Sequence, residues 1–249
     1  MMFYEIENLK LNYEIIGEGQ QVLIFHGLAG HLNTMKTVFE PIFEQKTGYE
    51  RIYIDLPGMG KSNAPLAFAS SDEILKVLLN FIQEIIHQSF LLIGYSYGGY
   101  LARAVTVRKP DIVKGLMLLA PMVIPSRSAR NLPEVVWYKK FEEKSSQDYM
   151  KSGWIEANED FLAALDRQYA VSFNIDKLAK ERQFSGPTLT LIGHQDSEVG
   201  YEDQLQLLGD YPRSSLAVLD LAGHNLQIEQ PHLLKALTKN WLERCHHEE

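Results

Sequence analysis

The chain predicts an α/β fold, a mostly parallel eight-stranded sheet flanked by helices, with a helical insertion late in the sequence. Three observations carry this expectation. Short apolar runs alternate with amphipathic helical stretches, the pattern of a parallel sheet covered on both faces. The alternation fails once, between Pro121 and Gly186, where no buried-strand pattern occurs. A Gly-x-Ser-x-Gly segment, Gly94-Tyr95-Ser96-Tyr97-Gly98, lies where an apolar run passes directly into a helical one.

Taken in order, the stretch from Phe3 to Ile16 alternates in polarity and fits an antiparallel edge hairpin. Strands are then expected near residues 22–26, 51–54, 89–94, 115–120, 188–193 and 215–220. Helical patterns fall near 34–45, 72–87, 98–108, 201–209 and 230–245. Pro110 and Asp111 end the helix that follows the glycine-serine segment, because proline cannot continue it. The chain thus divides into a first core part (1–120), an insertion (121–186) and a second core part (187–249).

Within the insertion, Pro121, Pro125 and Pro133 introduce a helical stretch rich in aromatic residues, from Trp137 to Phe173. A helical layer with one apolar face must bury that face against something, and the mouth of the sheet is available. Residues 121–186 are therefore expected to form a helical cap. Most of its aromatics would serve the cap's own core, and Trp137, Phe141 and Trp154 are the candidate substrate contacts. Ser126, Arg127 and Arg130 read as solvated linker residues, with carboxylate binding by an arginine as the alternative.

Composition sets limits. With 249 residues, 45% hydrophobic and 22% charged, the chain suits one globular α/β domain with an insertion. A net charge of -8 argues against nucleic acid or an anionic membrane as a charge-driven partner. The single cysteine, Cys245, forms no internal disulfide. The N-terminus lacks a basic segment followed by an apolar one, and no apolar run reaches the roughly 18 residues of a spanning helix. A cytoplasmic protein is expected.

The chemistry centres on Ser96. A strand turning abruptly into a helix would hold it in a strained conformation with its hydroxyl clear of the sheet, and would aim the first helical N–H groups above it. A neutral hydroxyl attacks poorly and needs a base. Of eight histidines, His87, His232, His246 and His247 read as surface residues. His224 instead follows a short strand pattern and Ala222-Gly223, on a loop at the carboxyl end of a strand, where ligand groups collect in open sheets. The carboxylate that orients such a histidine is sought on the loop after Thr188–Ile192, where Asp196 is the leading candidate and Glu198 the rival.

With these pieces the chain resembles the α/β-hydrolase superfamily. Beyond the glycine-serine segment, His26-Gly27 after Val22–Phe25 matches the family's His-Gly turn. Asp55-Leu56-Pro57-Gly58-Met59-Gly60-Lys61-Ser62 matches its Asp-x-Pro-Gly-x-Gly-x-Ser turn, and Ala222-Gly223-His224 its histidine loop. The resemblance implies that the backbone amides of Leu28 and Tyr97 form the oxyanion hole, and that the insertion is a cap. It implies a small-molecule ester-like substrate, cleaved through a Ser96-His224-Asp196 triad and an acyl-enzyme. No cofactor is required, and no metal-ligand spacing occurs. The same triad acting on amide or carbon–carbon bonds stays open, as do a menaquinone-pathway type of lyase and a slowly hydrolysing receptor. The lyase group carries an arginine where this chain has Tyr100, which counts against it; Arg103, one turn on, cannot be assumed equivalent. Dehalogenases of similar fold need an aspartate in place of Ser96.

Overall fold

The computed structural model describes residues 2–44, 46–133 and 158–246. Eight strands form one sheet: β1 (Met2–Ile6), β2 (Leu9–Ile16), β3 (Gln20–Phe25), β4 (Tyr49–Ile54), β5 (Phe90–Tyr95), β6 (Val113–Leu119), β7 (Thr188–Gly193) and β8 (Ser214–Leu219). Their spatial order is β1-β2-β4-β3-β5-β6-β7-β8. The opening hairpin lies at one edge, with β1 and β4 both antiparallel to β2. All remaining neighbours are parallel.

The described helices are α1 (Leu32–Phe43), α2 (Ser71–Ile85), α3 (Tyr97–Arg108), α4 (Glu159–Asp166), α5 (Ile175–Arg182), α6 (Tyr201–Leu205), α7 (Leu207–Asp210), α8 (Leu226–Glu229) and α9 (Pro231–His246). None is long and apolar enough to cross a membrane. The central strands are continuous apolar runs because both of their faces are covered. Along β3, Leu23 and Phe25 enter one apolar cluster with Leu78 of α2, Val105 of α3 and Ala179 of α5. Val22 and Ile24 enter the other, with Met35 and Phe39 of α1 and Trp241 of α9. Each fully buried aliphatic or aromatic side chain contributes about 1.5–3 kcal/mol, so alternate strand residues fasten the two helical layers to the sheet.

Two helices depart from the pattern read in the sequence. Helix α1 starts at Leu32 rather than 34, because His31 caps it with Nδ1 accepting from the Asn33 N–H at 3.2 Å. The 201–209 stretch is two short helices meeting at Gln206, whose side-chain amide donates to the Asp203 carbonyl at 2.7 Å. By contrast, α2 begins where its caps dictate: Ser70 accepts from the Glu73 N–H, and Asp72 and Glu73 lie in the first turn.

Of the insertion, residues 121–133 and 158–186 are described; Trp137, Phe141 and Trp154 lie outside the described residues. Asn158 caps α4 through the Phe161 N–H and itself donates to the Gly58 carbonyl at 3.2 Å. This sets α4 on the turn that follows β4. Helix α5 packs along α3, where Arg182 donates to the Val107 carbonyl at 2.7 Å. Fully buried Arg103 pairs there with Asp176 of α5 and, at 3.5 Å, with Asp210 of α7.

One topological feature places the site. From β3 the chain runs outward to β4, then crosses back over β3 to β5. At such a reversal the loops leaving the two strands diverge, and ligands bind in the crevice beyond their carboxyl ends.

Candidate active site

Ser96 stands alone between β5 and α3 with φ 54° and ψ −117°. A non-glycine residue there carries strain of about 1–3 kcal/mol and persists only when its surroundings fix it. They do so here. The Ser96 N–H donates to Leu119 O at 3.0 Å, while its carbonyl accepts from the N–H groups of Tyr100 (3.1 Å) and Met122 (3.0 Å). The flanking glycines answer to close backbone approach. A Cβ at Gly94 would lie 2.4 Å from Gly98 O, and one at Gly98 would lie 2.3 Å from His26 O.

Two further loops converge on the serine. His224 Nε2 lies 2.9 Å from Ser96 Oγ, and His224 Nδ1 lies 2.9 Å from Asp196 Oδ2. The Nδ1–H donates to the carboxylate, which leaves Nε2 free to accept the serine proton. Asp196 is fully buried, and its Oδ1 accepts from the N–H groups of Glu198 (2.9 Å) and Val199 (3.0 Å). Burial pulls its pKa up, but the imidazole and these amides outweigh burial and hold it below the ordinary value. For His224 burial pulls down, while the charge and hydrogen bond of Asp196, aided by Glu198 and opposed by Arg130, leave the pKa raised. Glu198, the rival acid, turns its carboxylate to Arg127 at 3.2 Å instead.

The loops carrying Asp196 and His224 are stitched together. His194 N–H donates to Leu219 O and Gln195 N–H to Ala222 O, both at 2.9 Å. Leu28 and Tyr97 reach the same end of the sheet, because Phe25 of β3 pairs in register with Gly94 of β5. Tyr97 opens α3, where the first N–H groups have no intrahelical acceptor. The turn bearing Leu28 is braced by buried His26, whose Nδ1–H donates to Gly27 O at 2.7 Å and whose Nε2 accepts the Leu56 N–H at 2.9 Å. Burial, only partly offset by Asp55, pushes the His26 pKa down to about 4, so it is a neutral brace. Asp55 in turn accepts from the N–H groups of Leu32 (2.6 Å) and Lys61 (2.8 Å).

Known proteins share this arrangement of elements. A family model described as the alpha/beta hydrolase fold matches residues 21–144. An α/β superfamily hydrolase from Oenococcus oeni PSU-1 superimposes with a TM-score of 0.84 at 29% identity, over 99% of this chain and all of that one. The chain belongs to the α/β-hydrolase superfamily. Curated relatives of this α/β hydrolase include the pimeloyl-[acyl-carrier protein] methyl ester esterase of Shewanella woodyi, 34% identical over 45% of this chain. That similarity spans only 40% of the esterase's own length. A 2-hydroxy-6-oxononadienedioate/2-hydroxy-6-oxononatrienedioate hydrolase of Escherichia coli K12 is 25% identical over 96% of this chain and 92% of its own.

Two contributors escaped the sequence reading of this α/β hydrolase. Tyr95 donates through its hydroxyl to Asn225 Oδ1 (3.0 Å) and His224 O (3.3 Å), and its ring lies 5.3 Å from the imidazole. Its place inside the glycine-serine motif was visible, but its partners on the histidine loop were not. Arg130 is no solvated linker residue: it is half-buried, and its guanidinium is taken up by backbone carbonyls. Arg103 is itself fully buried and engaged with Asp176 of α5 and buried Asp210 of α7, and is unavailable to a substrate.

Proposed function

We propose that this α/β hydrolase cleaves small or medium carboxylic esters, with Ser96 as nucleophile, His224 as general base and acid, and Asp196 as the group that orients the imidazole. The continuous path of 2.9 Å contacts from Asp196 through His224 to a strained serine carries the reading. Ser96 Oγ attacks the ester carbonyl as His224 Nε2 takes its proton, and the Leu28 and Tyr97 N–H groups stabilise the oxyanion. His224 then protonates the departing alcohol, leaving an acyl group on Ser96. Water, deprotonated by His224, attacks that acyl group; the carboxylic acid leaves and the serine regains its proton.

The insertion 121–186 is read as a cap over this mouth that governs substrate choice, with Trp137, Phe141 and Trp154 as candidate contacts. Support comes from its aromatic load and from the anchorage of its described part. Tyr169 stacks on Tyr97 at 4.8 Å, and its carbonyl accepts from Ser71 Oγ at 2.7 Å. A second reading keeps the same residues and moves the cleaved bond to carbon–carbon. The nearly full-length similarity to the Escherichia coli hydrolase favours retaining it.

Fluorophosphonate labelling and p-nitrophenyl ester turnover test the proposal together. Ser96→Ala should abolish labelling and lower kcat by on the order of 10⁴–10⁶ while the far-UV circular dichroism stays unchanged. A variant retaining a tenth of wild-type turnover would sink it. Efficient turnover of 2-hydroxy-6-oxononadienedioate with poor ester turnover would select the second reading.

A further inference from the structure

The segment that precedes residue 133 is fastened to the loop that carries Asp196. Arg130 donates from Nε to Ile124 O (2.8 Å) and from Nη2 to Pro125 O (3.0 Å), which fixes its guanidinium on the chain leaving β6. From Nη1 it reaches across to Glu198 O at 2.7 Å. Next to it, Asn131 N–H donates to the Asp203 carboxylate at 2.8 Å. The Asn131 carbonyl backs so closely on Gly200 that a Cβ there would lie 2.2 Å away. Glu198 is the residue whose N–H, together with that of Val199, grips Asp196 Oδ1. The other oxygen of that carboxylate holds His224.

We propose that Arg130 is a positioning residue for Asp196: by holding the Glu198 carbonyl it fixes the turn whose amides aim the carboxylate at His224. This inference rests on reading Ser96, His224 and Asp196 as a hydrolytic array. With donors on three of its nitrogens committed to carbonyls, the guanidinium is poorly placed to anchor a substrate carboxylate. An arginine suits the task because its planar fork meets several acceptors at once, which a lysine cannot reproduce.

The test joins kinetics to a spectroscopic signature. Arg130→Gln should lower kcat on p-nitrophenyl esters about tenfold with KM within about twofold, since small misplacements of a catalytic group cost factors of this order and larger. The downfield proton resonance of His224 Nδ1–H, sharp while Asp196 is held, should broaden in this variant. Arg130→Lys, which keeps the charge and part of the donor set, should lose only about threefold. A double-mutant cycle separates positioning from a general loss of stability. In an Asp196→Asn background Arg130→Gln should cost less than about twofold, because nothing remains for it to position. Wild-type kcat in Arg130→Gln, or an undiminished loss in the Asp196→Asn background, overturns the proposal. Should Arg130→Gln fail to fold, the cycle is run with Arg130→Lys under the same criterion, and a loss that persists undiminished beside Asp196→Asn overturns the proposal. A wild-type protein without turnover or fluorophosphonate labelling would defeat the hydrolytic reading instead. The His224 resonance then still decides this one, and an unchanged signal in Arg130→Gln overturns it.

Discussion

His26 and His224 sit at the same end of one sheet and are driven in opposite directions by what surrounds them. Around His26 burial dominates, and an imidazole titrating at about 4 stays neutral, one nitrogen donating and the other accepting. Around His224 the buried Asp196 outweighs burial and favours the imidazolium. The sign of the pH dependence follows. A general base works only when neutral, so with His224 as the proposed base activity should fall as pH drops through its folded-state pKa, which is raised above its ordinary 6.5. A kcat/KM profile should therefore show one ionisation on its acid side, with its midpoint above that value. His26 titrates too low to contribute to that limb. Turnover persisting well below 6.5 in a folded protein would contradict a histidine base.

At the scale of elements, the junction of β5 and α3 meets the end of β3 backbone to backbone, and this makes a test of unusual sign. Glycine inside a helix ordinarily costs about 1 kcal/mol relative to alanine, so Gly98→Ala would stabilise a free-standing helix. Here the new Cβ would lie 2.3 Å from His26 O and 2.8 Å from Phe25 O. Overpacking of this kind costs about 1–3 kcal/mol, so Gly98→Ala should lower the thermal midpoint and slow fluorophosphonate labelling together. A rise in the midpoint would show that the close approach is not binding. Elements of this kind were legible in the sequence because their signals are local. The strand-to-helix passage at Ser96, the alternation of apolar runs and the loops bearing Asp196 and His224 each announce themselves within a few residues. What stayed hidden depends on partners far along the chain. Arg130 looked solvated because its decisive acceptor is 68 residues away, and Arg103 gave no sign of Asp176, which lies 73 residues on. Between Asp196 and Glu198 the sequence left a choice of acid; only the direction of each carboxylate, one toward His224 and the other toward Arg127, separates them.

Across the whole molecule, the site draws on the carboxyl ends of four strands: Leu28 follows β3, Ser96 follows β5, Asp196 follows β7 and His224 follows β8. Strand β6 lies between the second and third of these, and the two helical layers hold all of them in register. These residues run from Leu28 to His224, so no single element or neighbouring pair of elements contains more than a part of the array. On the proposed reading, catalysis is a gauge of the entire sheet, and no activity should survive in a fragment or a half-unfolded form. In a urea titration, ester turnover and far-UV circular dichroism should disappear with a common midpoint, as one cooperative event. Turnover lost at distinctly lower urea would mean that the strand ends can drift apart while the sheet still stands.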